Sequence, residues 1–415
     1  MSLLRKKIEQ EIRECGPIPF SRYMELCLYD SELGYYSRNA EQFGKAGDFY
    51  TSSDVHAVFG RLLARQFDEM WRVLGAPNHF ELSELGPGRG LFAQDVLSWS
   101  GKKFPDFFAA LRYVSIESSA ALRARISETL KLHLDSGKVE LRTPEFLAAE
   151  PISAAERRQN AAHCTSHDYG DGEEQAPKVR QKNASASGIP KIVFANEFFD
   201  ALPVEILSAK GSLRIDTRDN RFLETWVPSS PDELEFLDRY SVHPDPHERI
   251  EVPLAAQQYI DRIAANIRRG LIIAIDYGYT REEQLSGRHR GTLKTLRQHS
   301  LGANPYEAPG EQDITADVNF TALAAAAEKN EMQAQKLVTQ SQFLMGIGEA
   351  NQFADAFEEC RLPQERAKVA LQLKHLVTPA GMGESFHVLI AGKGIEPEKI
   401  AALAGLNFSR MARPM

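Results

Sequence analysis

The chain is short of the residues that mark several common classes of protein. It holds four cysteines in 415 residues, and Cys15, Cys27, Cys164 and Cys360 form neither a CxxC pair nor a Cys/His ligand spacing. That excludes a disulfide scaffold and a zinc signature and fits a reducing compartment, so no metal is expected. No apolar run approaches the roughly 18 residues that a membrane span needs. Basic residues do not dominate: 49 Lys and Arg face 57 Asp and Glu, a net charge of −8, which argues against a general nucleic-acid binder. The opening MSLLRKKIEQEI reads as an amphipathic helix rather than a signal peptide, and Glu9, Glu11 and Glu14 argue against a transit peptide. The expected location is cytoplasmic. Repeats and coiled-coil heptads are also missing. What remains, 43% hydrophobic and 26% charged residues, is the composition of a globular chain long enough for two or three domains.

The most informative stretch is FELSELGPGRG, residues 80–90. Phe80 to Leu85 reads as a buried strand that runs into a turn, Gly86-Pro87-Gly88-Arg89-Gly90, and LFAQDVLSW continues with helical spacing. Glycines let backbone approach a ligand, and a helix start presents free N–H groups. The spacing is GxGxG, with Leu91 where a dinucleotide fingerprint has its last glycine. Glu84, two residues before the first glycine, would repel a pyrophosphate but not a cation. A cofactor carrying an ammonium and a sulfonium suits this edge, which points to S-adenosylmethionine (SAM). The alternative is an ordinary tight strand-to-helix turn.

Further pieces follow in an order that suits a parallel sheet. Residues 44–53, GKAGDFYTSS, are either a surface loop capping the next helix or a lid bringing Asp48 and Thr51 to the cofactor edge. LRYVSIESS (111–119) is the next strand, with Glu117 at its carboxyl end. An acid there either accepts a ribose diol or stabilises a helix start. It lies 31 residues after Gly86, and the insert SGKKFPDFFAA accounts for the excess over about 20. GKVELR (137–142) is a short third strand, and residues 153–188 form a polar insertion expected to be disordered. PKIVFANEFFDALPVE (190–205) is a buried strand ending in Asn196, Glu197 and Asp200, placed either as a reactive group at a strand's carboxyl end or as the first turn of a helix. If that turn is helical, Glu197 and Asp200 share a face. A hairpin is expected over 206–227, a buried strand over 271–279 ending in Asp276, a loop over 291–309 carrying His299 and Tyr306, a strand over 332–340, helix over 341–376 and a closing strand over 386–394.

Together LYDSELGYYS (28–37), GDFYTSSDVHAVFG (47–60), ELGPGRG (84–90), NEFFDALPVE (196–205), IDYGY (275–279), PGEQDIT (309–315) and TQSQFLMGIG (339–348) resemble the MidA family of class I SAM-dependent methyltransferases. That family includes the mitochondrial complex I assembly factor with protein arginine methyltransferase activity. The resemblance implies an α/β fold: a Rossmann-like class I methyltransferase sheet with a terminal antiparallel hairpin, a helical N-terminal lead-in and helical insertions. It divides the chain into a lead-in and lid (1–75), a SAM-binding core (76–340) and a helical insertion with closing strand (341–415). It implies Gly86, Pro87, Gly88 and Gly90 as the cofactor turn, Glu84 near the methionyl amine and Glu117 on the ribose. Asn196, Glu197 and Asp200 fall at the substrate opening, with Glu197 clamping a guanidinium. Asp317 and Asn319 stand where the family pattern has His and Asp. The implied function is protein arginine methylation with a role in respiratory complex assembly, and the implied partner a protein, such as a complex I subunit. The competing readings are a non-catalytic assembly factor, a small-molecule methyltransferase and a nicotinamide-dependent dehydrogenase. Oligomeric state is not legible.

Overall fold

Two strands with buried interiors, Phe80–Leu85 and Lys191–Asn196, lie side by side at the centre of the structure. The structure is a computed structural model that describes residues 2–37, 57–144, 188–219, 221–297, 300–302, 304–349 and 351–408. These two belong to a sheet whose long strands are β1 (Phe80–Leu85), β2 (Leu111–Ile116), β3 (Val139–Arg142), β4 (Lys191–Asn196), β5 (Gly270–Tyr279) and β6 (Phe386–Lys393). Their spatial order is β3-β2-β1-β4-β5-β6. The first five are parallel, and β6 runs antiparallel to β5. The chain moves outward one way from β1 to β3 and the other way from β4 to β6. The switch point therefore lies between the carboxyl ends of β1 and β4, where open α/β sheets place their ligands.

Side-chain alternation explains why both faces are covered. Ile192 and Phe194 of β4, with Leu271, Ile273 and Ile275 of β5, point into one core. Val193, Ala195, Ile272 and Ala274 point into the other. Strands buried on both sides need near-continuous apolar sequence, which these have. Helices Ala57–Val73, Leu91–Lys103 and Gln340–Glu349 fill the first core through Phe59, Phe67, Phe92 and Phe343. Helices Leu254–Ala265 and Phe320–Lys329 fill the second through Ile260, Ile263, Phe320 and Leu323.

The N-terminal lead-in has a core of its own. Helix Leu3–Cys15, capped by Ser2 and stopped by Gly16, presents Leu4, Ile8 and Ile12 to helix Phe20–Tyr29 and to a second, five-stranded sheet. The expected hairpin is in that sheet: Gly211–Arg218 pairs with Arg221–Val227. The lead-in also contributes a short strand, Ile18–Pro19, to it.

Two expectations change, and one alternative falls away. The loop expected over 291–309 contains strands Lys294–Arg297 and Ser300–Gly302, which form a small sheet with Asp313–Thr315 because buried Thr295 and Ile314 pair across it. The strand expected over 332–340 is two short pieces, Gln333–Ala334 and Val338–Thr339, each paired to β6, so the terminal hairpin has a broken outer strand. No helix follows Asn196: Pro203 and strand Glu205–Ser208 come next. Asp48, Thr51, His299 and, apart from Gly188, the insertion 153–188 lie outside the described residues.

Phe194 is fully buried, stacked on Phe92 at 4.6 Å between ring centroids and edge-on to Phe67 at 5.4 Å. Phe194→Ala should cost about 3–5 kcal/mol, read as a lowered urea midpoint with an unchanged transition slope.

Candidate functional site

The turn after β1 is held in shape by left-handed backbone. Gly86, Gly88 and Gly90 all have positive φ, +61°, +55° and +77°. At Gly86 a Cβ would sit 2.9 Å from Phe198 Cδ2, so the glycine also permits close packing of this turn on the one after β4. Gly90 precedes helix Leu91–Lys103 and packs against Ile126 and Leu130.

The turn after β4 is fixed by one buried carboxylate. Asp276, on β5 and wholly buried, accepts on Oδ2 the backbone N–H groups of Phe198 (3.1 Å), Phe199 (3.0 Å) and Asp200 (3.3 Å). Its Oδ1 accepts from Tyr277 N–H at 3.0 Å. Burial, then the charges of Asp200 and Glu197, push its pKa up, and the N–H donors pull it down. Asp276 is thus an anchor beneath the site. Glu197 takes φ +50°, rare for a non-glycine residue, and donates its N–H to Ile275 O at 2.9 Å. The turn is therefore not helical, and Glu197 and Asp200 reach the same space through this kink rather than through helical spacing.

Both turns open on one cavity of about 400 Å³. Glu84, Gly86, Pro87, Gly88, Glu117, Asn196, Glu197 and Asp200 all line it, so these positions from three strand ends converge. Gly90 is the described member of the expected set that does not line it. The sequence reading missed Tyr29, Tyr36, Tyr277, Lys294 and Asp313, which also line it. The signals were present: Tyr36 lies in the aromatic turn after Gly34, Tyr277 follows Asp276, and Asp313 sits in PGEQDIT. Tyr36 hydroxyl donates to Asp313 Oδ1 at 3.0 Å, and Tyr277 hydroxyl donates to Asp200 Oδ2. Lys294 donates to Asp317 Oδ1 at 2.6 Å, and His289 Nδ1 meets Asp317 Oδ2 at 3.0 Å. Asp317 thus links a lysine to a histidine.

The electrostatics are unusual. Among the described residues five carboxyl groups line the cavity, from Glu84, Glu117, Glu197, Asp200 and Asp313. Burial pushes Glu84 up to about 8, although the Tyr113 hydroxyl, 2.7 Å from Oε2, pulls the other way. Burial also pushes Glu117 up to about 7, against the N–H of Ser119 at 2.8 Å. Asn196 donates its amide to Glu197 Oε1 at 3.1 Å, yet Asn196 Oδ1 and Asp200 Oδ1 have no hydrogen-bond partner among the described residues. A surplus of buried acceptors and acids suits a cation rich in N–H donors. The cofactor end fits as well: buried Glu84 and Glu117 stand beside the glycine turn, where a positively charged ligand would relieve their burial cost.

Similarity to known proteins agrees with this geometry. Residues 62–338 match the family model described as "putative S-adenosyl-L-methionine-dependent methyltransferase". The chain is 28% identical over 98% of its length to the Drosophila melanogaster protein named protein arginine methyltransferase NDUFAF7 homolog, mitochondrial, covering 88% of that protein. It is 26% identical to the human protein arginine methyltransferase NDUFAF7, mitochondrial, over 91% of this chain and 80% of that one. A Burkholderia thailandensis crystal structure bound to S-adenosyl-homocysteine superposes with a TM-score of 0.74 at 25% identity, covering 98% of this chain and 94% of that chain. The mitochondrial names of the relatives overturn the cytoplasmic location expected above. No helix among the described residues is long and apolar enough to cross a membrane.

Glu84 gives a pH dependence with a definite sign. In the folded protein it keeps its proton up to about pH 8, whereas in the unfolded chain it ionises near the ordinary 4.5. Between those values the folded state binds more protons, so this group's contribution to stability falls as pH rises. Without ligand, Glu84→Gln should gain thermal stability relative to the parent steadily from pH 5 to pH 8. Melting curves that stay a constant distance apart would contradict this.

Proposed function

The chain belongs to this family of SAM-dependent methyltransferases, and from that premise we propose that it methylates arginine side chains of a protein substrate. SAM is its cofactor, and when bound it supplies a methyl group on a sulfonium, a good leaving group. We assign Glu84 to the cofactor's ammonium, the turn Gly86–Pro87–Gly88 to its close approach, and Glu117 to its ribose. The same space holds Asn196, Glu197 and Asp200, which we assign to the acceptor. Gly90 supports the turn from behind, and Asp48 and Thr51 remain the proposed lid residues.

One observation carries the choice of acceptor. Among the described residues, Asn196 Oδ1 and Asp200 Oδ1 are buried acceptors without donors, in the cavity that Glu197 also lines. A guanidinium has five N–H donors in a planar fork and no acceptor, so it satisfies such a set without leaving a polar group unpaired. Carboxylates beside it orient one nitrogen and stabilise the charge that the product keeps. The names of the relatives support the same class of acceptor. The protein partner we propose is a respiratory complex I subunit, on the strength of the resemblance to the family of the complex I assembly factor.

In this reading Glu197 clamps the guanidinium, Asp200 assists and Asn196 positions. Glu197→Gln should lower the rate of methylarginine formation about 10²–10³-fold. SAM affinity, measured by calorimetry, should stay within a few-fold. Unchanged turnover in Glu197→Gln would remove the assignment, and labelled methyl groups recovered only on other side chains would remove the arginine reading.

A further inference from the structure

Methylating a guanidinium leaves one proton to be placed. The nitrogen's electron pair forms the new N–CH₃ bond, the sulfur keeps the pair of the broken S–CH₃ bond, and the guanidinium enters and leaves with one positive charge. One N–H proton must therefore pass to a base. An arginine side chain gives no proton to a carboxylate beforehand, since its own pKa lies above about 12. The proton becomes acidic only as the nitrogen's pair is committed to carbon, so the base must already stand at the reacting nitrogen.

We infer that Asp200 accepts this proton, and that Tyr277, through its hydroxyl on Asp200 Oδ2, is the residue that positions it. This rests on the arginine reading above. Asp200 is 6% exposed and lines the cavity, and it is clamped from three sides. Its N–H goes to Asp276, its carbonyl accepts from Ala316 N–H at 3.0 Å, and one carboxylate oxygen takes the Tyr277 hydroxyl. The remaining oxygen, Oδ1, is buried with no hydrogen-bond partner of good geometry among the described residues, although the nearby Ala201 N–H also lowers the carboxyl's pKa. A carboxylate with one oxygen tied and one free offers a single, oriented site for a proton. Glu197 is less buried than Asp200 and, tied at Oε1 by the Asn196 amide, is kept for clamping the guanidinium.

The surroundings tune Asp200 without neutralising it. Burial pushes it up to about 6, and the Tyr277 hydroxyl is the largest influence pulling it back. From its own turn it faces Glu197, and from β5 Asp276 and Tyr277. Asp317 and Lys294 act on it with opposite signs from the small sheet and the segment after it. From the lead-in side stand Tyr29 and Tyr36, which share the field of Asp200 and Asp313. A base near neutrality is a better proton acceptor than an ordinary aspartate and is still ionised at pH 7.

The test uses three proteins: the parent, Tyr277→Phe and Asp200→Asn. Each is given labelled SAM and a hypomethylated mitochondrial protein extract, and initial rates of methylarginine formation are followed from pH 5 to pH 9. Independently of turnover, infrared difference spectra of ¹³C-aspartate-labelled protein report the Asp200 carboxyl, assigned by its loss in Asp200→Asn. In the parent both the rate and the carboxylate band should fall together below about pH 6. In Tyr277→Phe the charged form loses a donor, so both midpoints should move up by about one unit, with most of the rate kept at pH 9. Asp200→Asn should lose about 10²–10³-fold across the range while binding SAM within a few-fold of the parent. Methylarginine formation by Tyr277→Phe with an unshifted acid limb, or by Asp200→Asn at more than a tenth of the parent rate, would overturn the inference alone. A parent that forms no methylarginine would overturn the arginine reading and this inference with it.

Discussion

Everything at the rim of the sheet depends on where one buried oxygen sits. Asp276 Oδ2 receives three consecutive backbone N–H groups from the turn after β4, and Asp276 itself is part of the β5 ladder. Three consecutive N–H groups can converge on one point only if the chain bends sharply. The bend is seen in Glu197, whose left-handed backbone would be unfavourable on its own. The parallel pairing of β1 with β4, Leu85 opposite Ala195, then sets the height of that bend against the glycine turn. Phe198 closes the gap by packing on Gly86. The two halves of the cavity are thus held in register by hydrogen bonds and one ring, not by loop sequence alone.

That rigidity explains the electrostatics. Carboxylates are costly to bury, and among the described residues five acids come together in this cavity. Glu84 and Glu117 respond by holding their protons to unusually high pH, and Asp200 by leaning on Tyr277. Cations in the cavity would offset that cost, and both reactants of the proposed guanidinium methylation are cationic.

Much of this was legible residue by residue. A strand's carboxyl end is a local feature, so Glu84, Glu117 and Asn196 could be placed from the apolar runs before them and the glycine or polar residues after. The convergence of those ends followed from parallel topology. Tyr36 and Asp313 sit in recognisable motifs, but neither they nor Lys294 could be placed at the cavity, because they come from the lead-in and from a small sheet far away in sequence. Periodicity tells which face of an element is buried, not which distant segment crosses its rim. Lys294 lay in a stretch read as loop, although Thr295 pairs with Ile314. The kink at Glu197 had no signal, since glutamate is not a residue that announces left-handed backbone. The cellular compartment was misread for a different reason: composition and charge describe a folded chain and carry no address.

In the proposed function one crevice holds a cationic methyl donor against Glu84 and Glu117 and faces the acceptor with Glu197 and Asp200. A crystal structure of the protein with S-adenosyl-homocysteine tests it most directly. The account predicts the ligand's amino group hydrogen-bonded near Glu84, its ribose hydroxyls on Glu117, and its sulfur on the side of Asn196 to Asp200. A ligand bound elsewhere, or bound in the cavity with both carboxylates unengaged, would contradict it.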